Sequence, residues 1–155
     1  MVSNRQTELS SLVRDNIDEM LVCIIQFTNI HHSILTENIR NCRRSNFVPM
    51  YVDVDDFAKV VSVALSEHQR SKRLALCDSR TINFTVSGEF SVEPQVDIEA
   101  AILIEEDFQA YIELQKNRLK ENMSNNKTAC ALFCHKLMMA EEENRVTDNP
   151  IGNKI

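Results

Sequence analysis

Ile17, Met20, Ile24, Phe27, His31, Ile34, Asn38 and Asn41 recur at alternating steps of three and four residues. Side chains at that spacing share one stripe of an α-helix, and an apolar stripe of this length leaves water only by packing on another element. Leu9, Val13, Leu21, Ile25, Leu35 and Ile39 widen the stripe. A first helix over 8–42 is therefore expected, too apolar to stand alone and meeting more than one neighbour. Two glycines, three prolines and no Trp among 155 residues leave too few tight turns for a sandwich of short strands. The expected class is mainly α, and with 43% apolar residues the chain 1–155 can bury a core as one domain.

A partner for the first helix stands near the other end. Ala101, Ile104, Phe108, Tyr111, Gln115 and Leu119 repeat the same spacing, Asp97 offers a side-chain oxygen to cap the first turn, and Met123, Cys130, Phe133 or Cys134 and Leu137 continue the phase. This predicts a C-terminal helix over 96–142 followed by a frayed tail at 143–155. The two helices are expected to pack antiparallel, with Ile17, Ile24, Phe27 and Ile34 on one seam facing Ala101, Ile104, Phe108 and Tyr111 on the other. The middle, 43–95, is expected to be irregular. Pro49 stops helical hydrogen bonding, Asp53, Asp55 and Asp56 can cap a short helix that buries Phe57, Val60, Val61, Ala64 and Leu65, and Ile82, Phe84 and Val86, then Phe90 and Val92, alternate as a short hairpin around Gly88.

Two amides on an apolar seam call for a reason. A buried Asn can fix helix register and bond the backbone of the turn that leaves the helix, so Asn38 and Asn41 are expected to hold the turn at 43–47 while Phe47 packs back beside Leu35.

The chemistry-bearing residues have plainer uses than catalysis. Cys130, Cys134 and His135 lack the second ligand pair of a structural zinc site and fall on the apolar phase, which predicts core thiols. His31 and His32 are neighbours on a helix and point apart, so His31 is expected to be a hydrogen-bonded core histidine. The Asp53, Asp55 and Asp56 cluster lacks the glycine and the distal Glu of a calcium loop, and Glu105, Glu106 and Asp107 read as a solvated face. No phosphate-cradling glycine loop or metalloprotease motif is present. No catalytic residue, cofactor or metal is expected. A net charge of −6, with basic residues gathered only at Arg40, Arg43 and Arg44 and at Arg70, Lys72 and Arg73, argues against nucleic acid. Five cysteines argue for a reducing compartment, and no apolar run or leader-like start suggests a membrane span or a cleaved signal.

The stretch "SILTENIRNCRRSNFVPMYVDVDDF" resembles the N-terminal signature of the axial rod and hook proteins of the bacterial flagellum, whose first helix ends in an Asn-Ile-x-Asn run followed by a Thr-Pro-Gly-aromatic turn. Leu35, Asn38, Ile39, Asn41 and Phe47 match it, and Val52, Asp53 and Phe57 are similar to the "DVDF" ending of FlgB-like basal-body rod proteins. Arg43, Arg44, Ser45 and Asn46 stand in the turn, where Asn46 can take the left-handed conformation of a glycine. "RLALCDSRTI" looks like the family's Leu-Ala-x-Thr-x-Pro-Arg-x-Ile segment, and "VDIEAAILIEEDFQAYIEL" is similar to the start of its C-terminal helix. The resemblance implies terminal helices packed as an α-helical core around an irregular middle, and a structural subunit of the proximal rod that assembles with other rod proteins or with itself, in the basal body. The alternative is a cytosolic helical module that binds a protein partner.

Overall fold

The computed structural model describes residues 9, 10 and 12–148. Among them the elements run α1 Asn16–Asn41, β1 Met50–Tyr51, α2 Val54–Ser71, β2 Ile82–Phe84, β3 Phe90–Val92, β4 Gln95–Val96, α3 Ile98–Glu106 and α4 Phe108–Asp148. The architecture is mainly helical. α1 packs antiparallel on α4, so that Arg14 meets Lys136, His31 meets Asn122 and Asn38 meets Gln115. On its other side α1 carries α2, also antiparallel: Phe27 stacks on Phe57 with ring centroids 3.9 Å apart, while Asn16 reaches His68 and the Lys72 carbonyl.

Helix ends follow local capping chemistry. Asp15 is extended and its carboxylate accepts the Asp18 N–H at 2.8 Å, so α1 begins at Asn16. The expected start at residue 8 lies outside the described residues, and the single helix over 8–42 is interrupted ahead of this cap. Asp53 caps α2 through the Asp56 N–H, as the acidic cluster suggested, and α2 runs on to Ser71.

The C-terminal helix needs more correction. Val96 lies in a strand, Asp97 caps α3 through the Ala100 N–H, and the chain breaks again at Asp107. Asp107, read from sequence as part of a solvated acidic face, closes α3 by donating its N–H to the Leu103 carbonyl and caps α4 by accepting from Ala110. Two caps ten residues apart divide the run that apolar spacing joined. α4 then continues through Asp148, past the expected end at 142, so the stretch read as the start of a frayed tail is helical. Residues 149–155 of that tail lie outside the described residues.

The middle segment forms two small antiparallel pairs. β2 and β3 make the expected hairpin, with Ile82 opposite Val92 and Phe84 opposite Phe90, and Gly88 takes φ +87 in its turn, a conformation costly for any residue with a Cβ. The second pair was not anticipated: β1 and β4 join Met50 to Val96 across the chain. The hairpin lies on the aromatic layer, where Ile82 is buried with Cys23, Phe27, Val52, Phe57 and Val60.

This layer takes part of the first expected seam. Phe27 and Ile34 face α2 and the hairpin, Leu21, Val22 and Ile25 meet Ala129 and Phe133 of α4 with Ile17 beside them, and Ile24 packs against both clusters. α1 has two apolar faces, and the three-four count runs between them: Ile17, Ile24, His31 and Asn38 meet α4 while Phe27 and Ile34 meet the aromatic layer. On the other side, Ala101 and Ile104 belong to α3. Ile104 and Phe108 pack around Cys42, Ala100 and Tyr111.

Candidate functional site: the helix exit and the groove beside it

Asn38 is 2% exposed and makes three bonds. Its Oδ1 accepts the Met50 N–H at 3.1 Å, and its Nδ2 donates to the Met50 carbonyl at 2.7 Å and to Gln115 Oε1 at 3.1 Å. The amide thus completes the backbone of β1 as a neighbouring strand would. Sequence reasoning placed these bonds in the turn at 43–47, yet they fall beyond it, because the turn closes on itself through Arg44 N–H to the Asn41 carbonyl and Phe47 N–H to the Arg44 carbonyl. Asn46 sits in that turn at φ +61, left-handed as a glycine would be.

Asn41 does not share the task. Its Nδ2 donates to Glu37 on the same helix, and its Oδ1 is buried without a partner among the described residues. Ile39 is half-buried, and its carbonyl accepts the Cys42 thiol. Phe47 packs with Cys42, Ala100 and Tyr111, because the loop folds toward α3 and α4.

From there the exit loop is stitched to the start of the C-terminal segment. Arg43 lies over the Phe108 ring at 5.0 Å, a cation–π contact. Asp97 donates its N–H to the Pro49 carbonyl, and its carboxylate also receives Arg118 of α4. The Tyr111 hydroxyl, whose pKa burial drives upward, donates to the Asn38 carbonyl at 2.7 Å.

A polar line continues along the α1–α4 contact. His31 is buried, and its Nδ1 meets Asn122 Oδ1 at 3.1 Å, while Asn122 Nδ2 donates to the Thr28 carbonyl at 2.8 Å. The amide orientation leaves Nδ1 as the donor, and burial holds the His31 pKa below its ordinary value despite that bond. Asn126 donates to Thr28 Oγ1. At the far end Lys136 hydrogen-bonds Asp15 and comes within 3.1 Å of the fully buried Asp18. Burial works against the Lys136 charge, but the two carboxylates outweigh it and raise its pKa.

Sequence reasoning missed Asn122, Asn126 and Met50, although one signal was present. His31 and Asn38 are seven residues apart, as are Gln115 and Asn122, so polar residues at heptad distance on both helices mark the register of an antiparallel pair. Past Gln115 the expected phase took Met123 in place of Asn122, a shift of one residue. Met123 is exposed, and so are Cys130 and Cys134, which were expected in the core; Phe133, the other residue offered for that phase, is buried, and Ala129 stands in place of Cys130. Cys23 and Cys42 are the buried thiols, and burial pushes Cys23 up to about 12.

A groove of about 860 Å³ opens beside this line, between α2 and α4, with Leu21, Ile24, Phe27 and His31 of α1 as its floor. Val54, Ala58, Val61 and Leu65 form the α2 wall, and Asn125, Thr128 and Leu132 stand on the α4 wall. Among the described residues, no group of three His, Cys, Asp or Glu side chains is placed to hold a metal ion, and no helix is long and apolar enough to cross a membrane. Neither a family model, nor a curated protein, nor a solved structure matches the chain.

Proposed function

We propose that this chain is a structural subunit of a flagellar axial assembly, of the proximal-rod type, whose terminal helices form the body that stacks against neighbouring subunits. One observation carries the reading: the three stretches on which the resemblance rests, far apart in sequence, are bonded to one another. Asn38 and Pro49 of the first connect to Tyr111 and Asp97 of the third. Asp53 and Asp56 of the first hold Arg80, Ser79 and Thr81 of the second. Side chains committed to joining segments in this way serve a scaffold. Head-to-tail contacts between such scaffolds that do not close into a ring produce an open helical stack.

The test is composition of purified basal bodies. Detergent-extracted, gradient-purified basal bodies from the source cell, probed with an antibody to this chain, should contain it. Its recovery only in the soluble fraction would overturn the reading. A cytosolic helical interaction module would then take its place, a reading favoured by the exposed thiols of Cys77, Cys130 and Cys134, which suit a reducing compartment.

A further inference from the structure

We infer that the groove between α2 and α4 is a docking site for an amphipathic α-helix of a partner protein, one with a continuous apolar face and a Lys or Arg at one end. The inference rests on the reading of the chain as an assembling subunit and adds the chemistry of what it takes up.

The groove has a direction. Both α2 and α4 run antiparallel to α1, so they run parallel to each other, and their first-reached ends share one mouth. There Asp55 of α2 and Glu121 of α4 line the groove from opposite walls, both exposed and, among the described residues, neither engaged in an ion pair or side-chain hydrogen bond. Arg118, the cation at this mouth, is already committed to Asp97. Two carboxylates on facing walls leave a negative gate that a basic side chain would neutralise.

Away from the mouth the character changes. Val54, Ala58, Val61 and Leu65 follow one another at steps of four, three and four, the spacing that presents a single stripe. Val54 and Leu65 are 42% and 41% exposed, and Leu132 opposite is 53% exposed. On α4 the strip goes on as Leu132, Met139 and Val146, each seven residues after the last and all exposed. α4, with 41 residues, is about 60 Å long against about 40 Å for the 26 residues of α1, so this strip runs past the end of α1. A helix laid in the groove with anchors at i, i+3 or i+4, and i+7 would cover Leu65 and Leu132 together, and its basic end would face Asp55 and Glu121.

A peptide-display library of helical inserts of about four turns, randomised at one face and both ends and selected on the purified chain, tests this. Binders should show apolar residues at the anchor spacing and Lys or Arg at one end. Leu65→Glu and Leu132→Glu, at positions exposed enough to leave the fold intact by circular dichroism, should each weaken synthetic versions at least tenfold. The pair Asp55→Lys with Glu121→Lys should reverse the preference toward acidic peptides. Binders indifferent to these variants, binders with no basic preference, or no binders at all would overturn the inference. So would sedimentation showing wild-type self-association that Leu132→Glu abolishes, which assigns the groove to a second copy. Peptide binding that appears only after residues 149–155 are removed would assign it to the chain itself, with the same consequence. Absence from basal bodies with groove binders intact would fail the rod reading alone; presence in basal bodies without groove binders would fail this inference alone.

Discussion

Replacing Asn38 by Leu keeps the size of the side chain and makes the seam more apolar, yet it should destabilise the protein. The change strands three groups. Gln115 is fully buried and its Oε1 loses the donor from Asn38, at a cost of about 1–3 kcal/mol. The Met50 N–H and carbonyl lose their partner in a half-buried position where water can partly replace it, about 1 kcal/mol each. Burying a leucine side chain offsets about 2 kcal/mol of this. A net loss of about 1–3 kcal/mol remains, which for a chain of this size lowers the melting temperature by roughly 2–4 °C per kcal/mol. Asn41→Leu is the internal control, because among the described residues its amide bonds only Glu37 and its Oδ1 is buried unpaired; it should be neutral or slightly stabilising. Urea unfolding followed by circular dichroism measures both variants against wild type. If Asn38→Leu unfolds at the wild-type midpoint, or if the two variants shift it equally, the assignment of the clasp to Asn38 alone is refuted.

Phe27→Ala should cost about 3–5 kcal/mol, since the ring is 2% exposed and stacked on Phe57; a melting temperature within 3 °C of wild type would contradict the aromatic layer. His31 is held below its ordinary pKa by burial, so near pH 6 the unfolded chain binds more protons than the folded one and stability falls as pH drops through the unfolded His range. The urea midpoint should therefore decrease from pH 7.5 to 5.5 more in wild type than in His31→Gln, and equal decreases would count against it. An aromatic disulfide reagent should label Cys77, Cys130 and Cys134 in the folded protein and reach Cys23 and Cys42 only after unfolding; five fast thiols would contradict the burial pattern.

The one-dimensional pattern determined those features that depend on a residue and its near neighbours. The helical class, the caps at Asp53 and Asp97, the hairpin around Gly88, the buried state of His31 and the left-handed Asn46 follow from spacing and side-chain chemistry acting over a few residues. The antiparallel pairing of the terminal helices was also legible, because two long apolar stripes must cover each other. What tertiary structure decided was which stripe meets which. α1 is apolar on two faces, and the placement of Phe57 and the hairpin draws Phe27 and Ile34 to the aromatic layer, while Ile24 packs against both that layer and the Ala129 and Phe133 cluster of α4. Along α4 the contact line follows Gln115 and Asn122, polar residues that join a core only when partners such as Asn38 and His31 stand opposite. Burial of an amide is a property of a pair, and its second member lies 77 or more residues away in the chain. For the same reason Asn38 and Asn41, three residues apart on one helix, have different fates: one meets the backbone of Met50 and the other bonds Glu37 within its own turn.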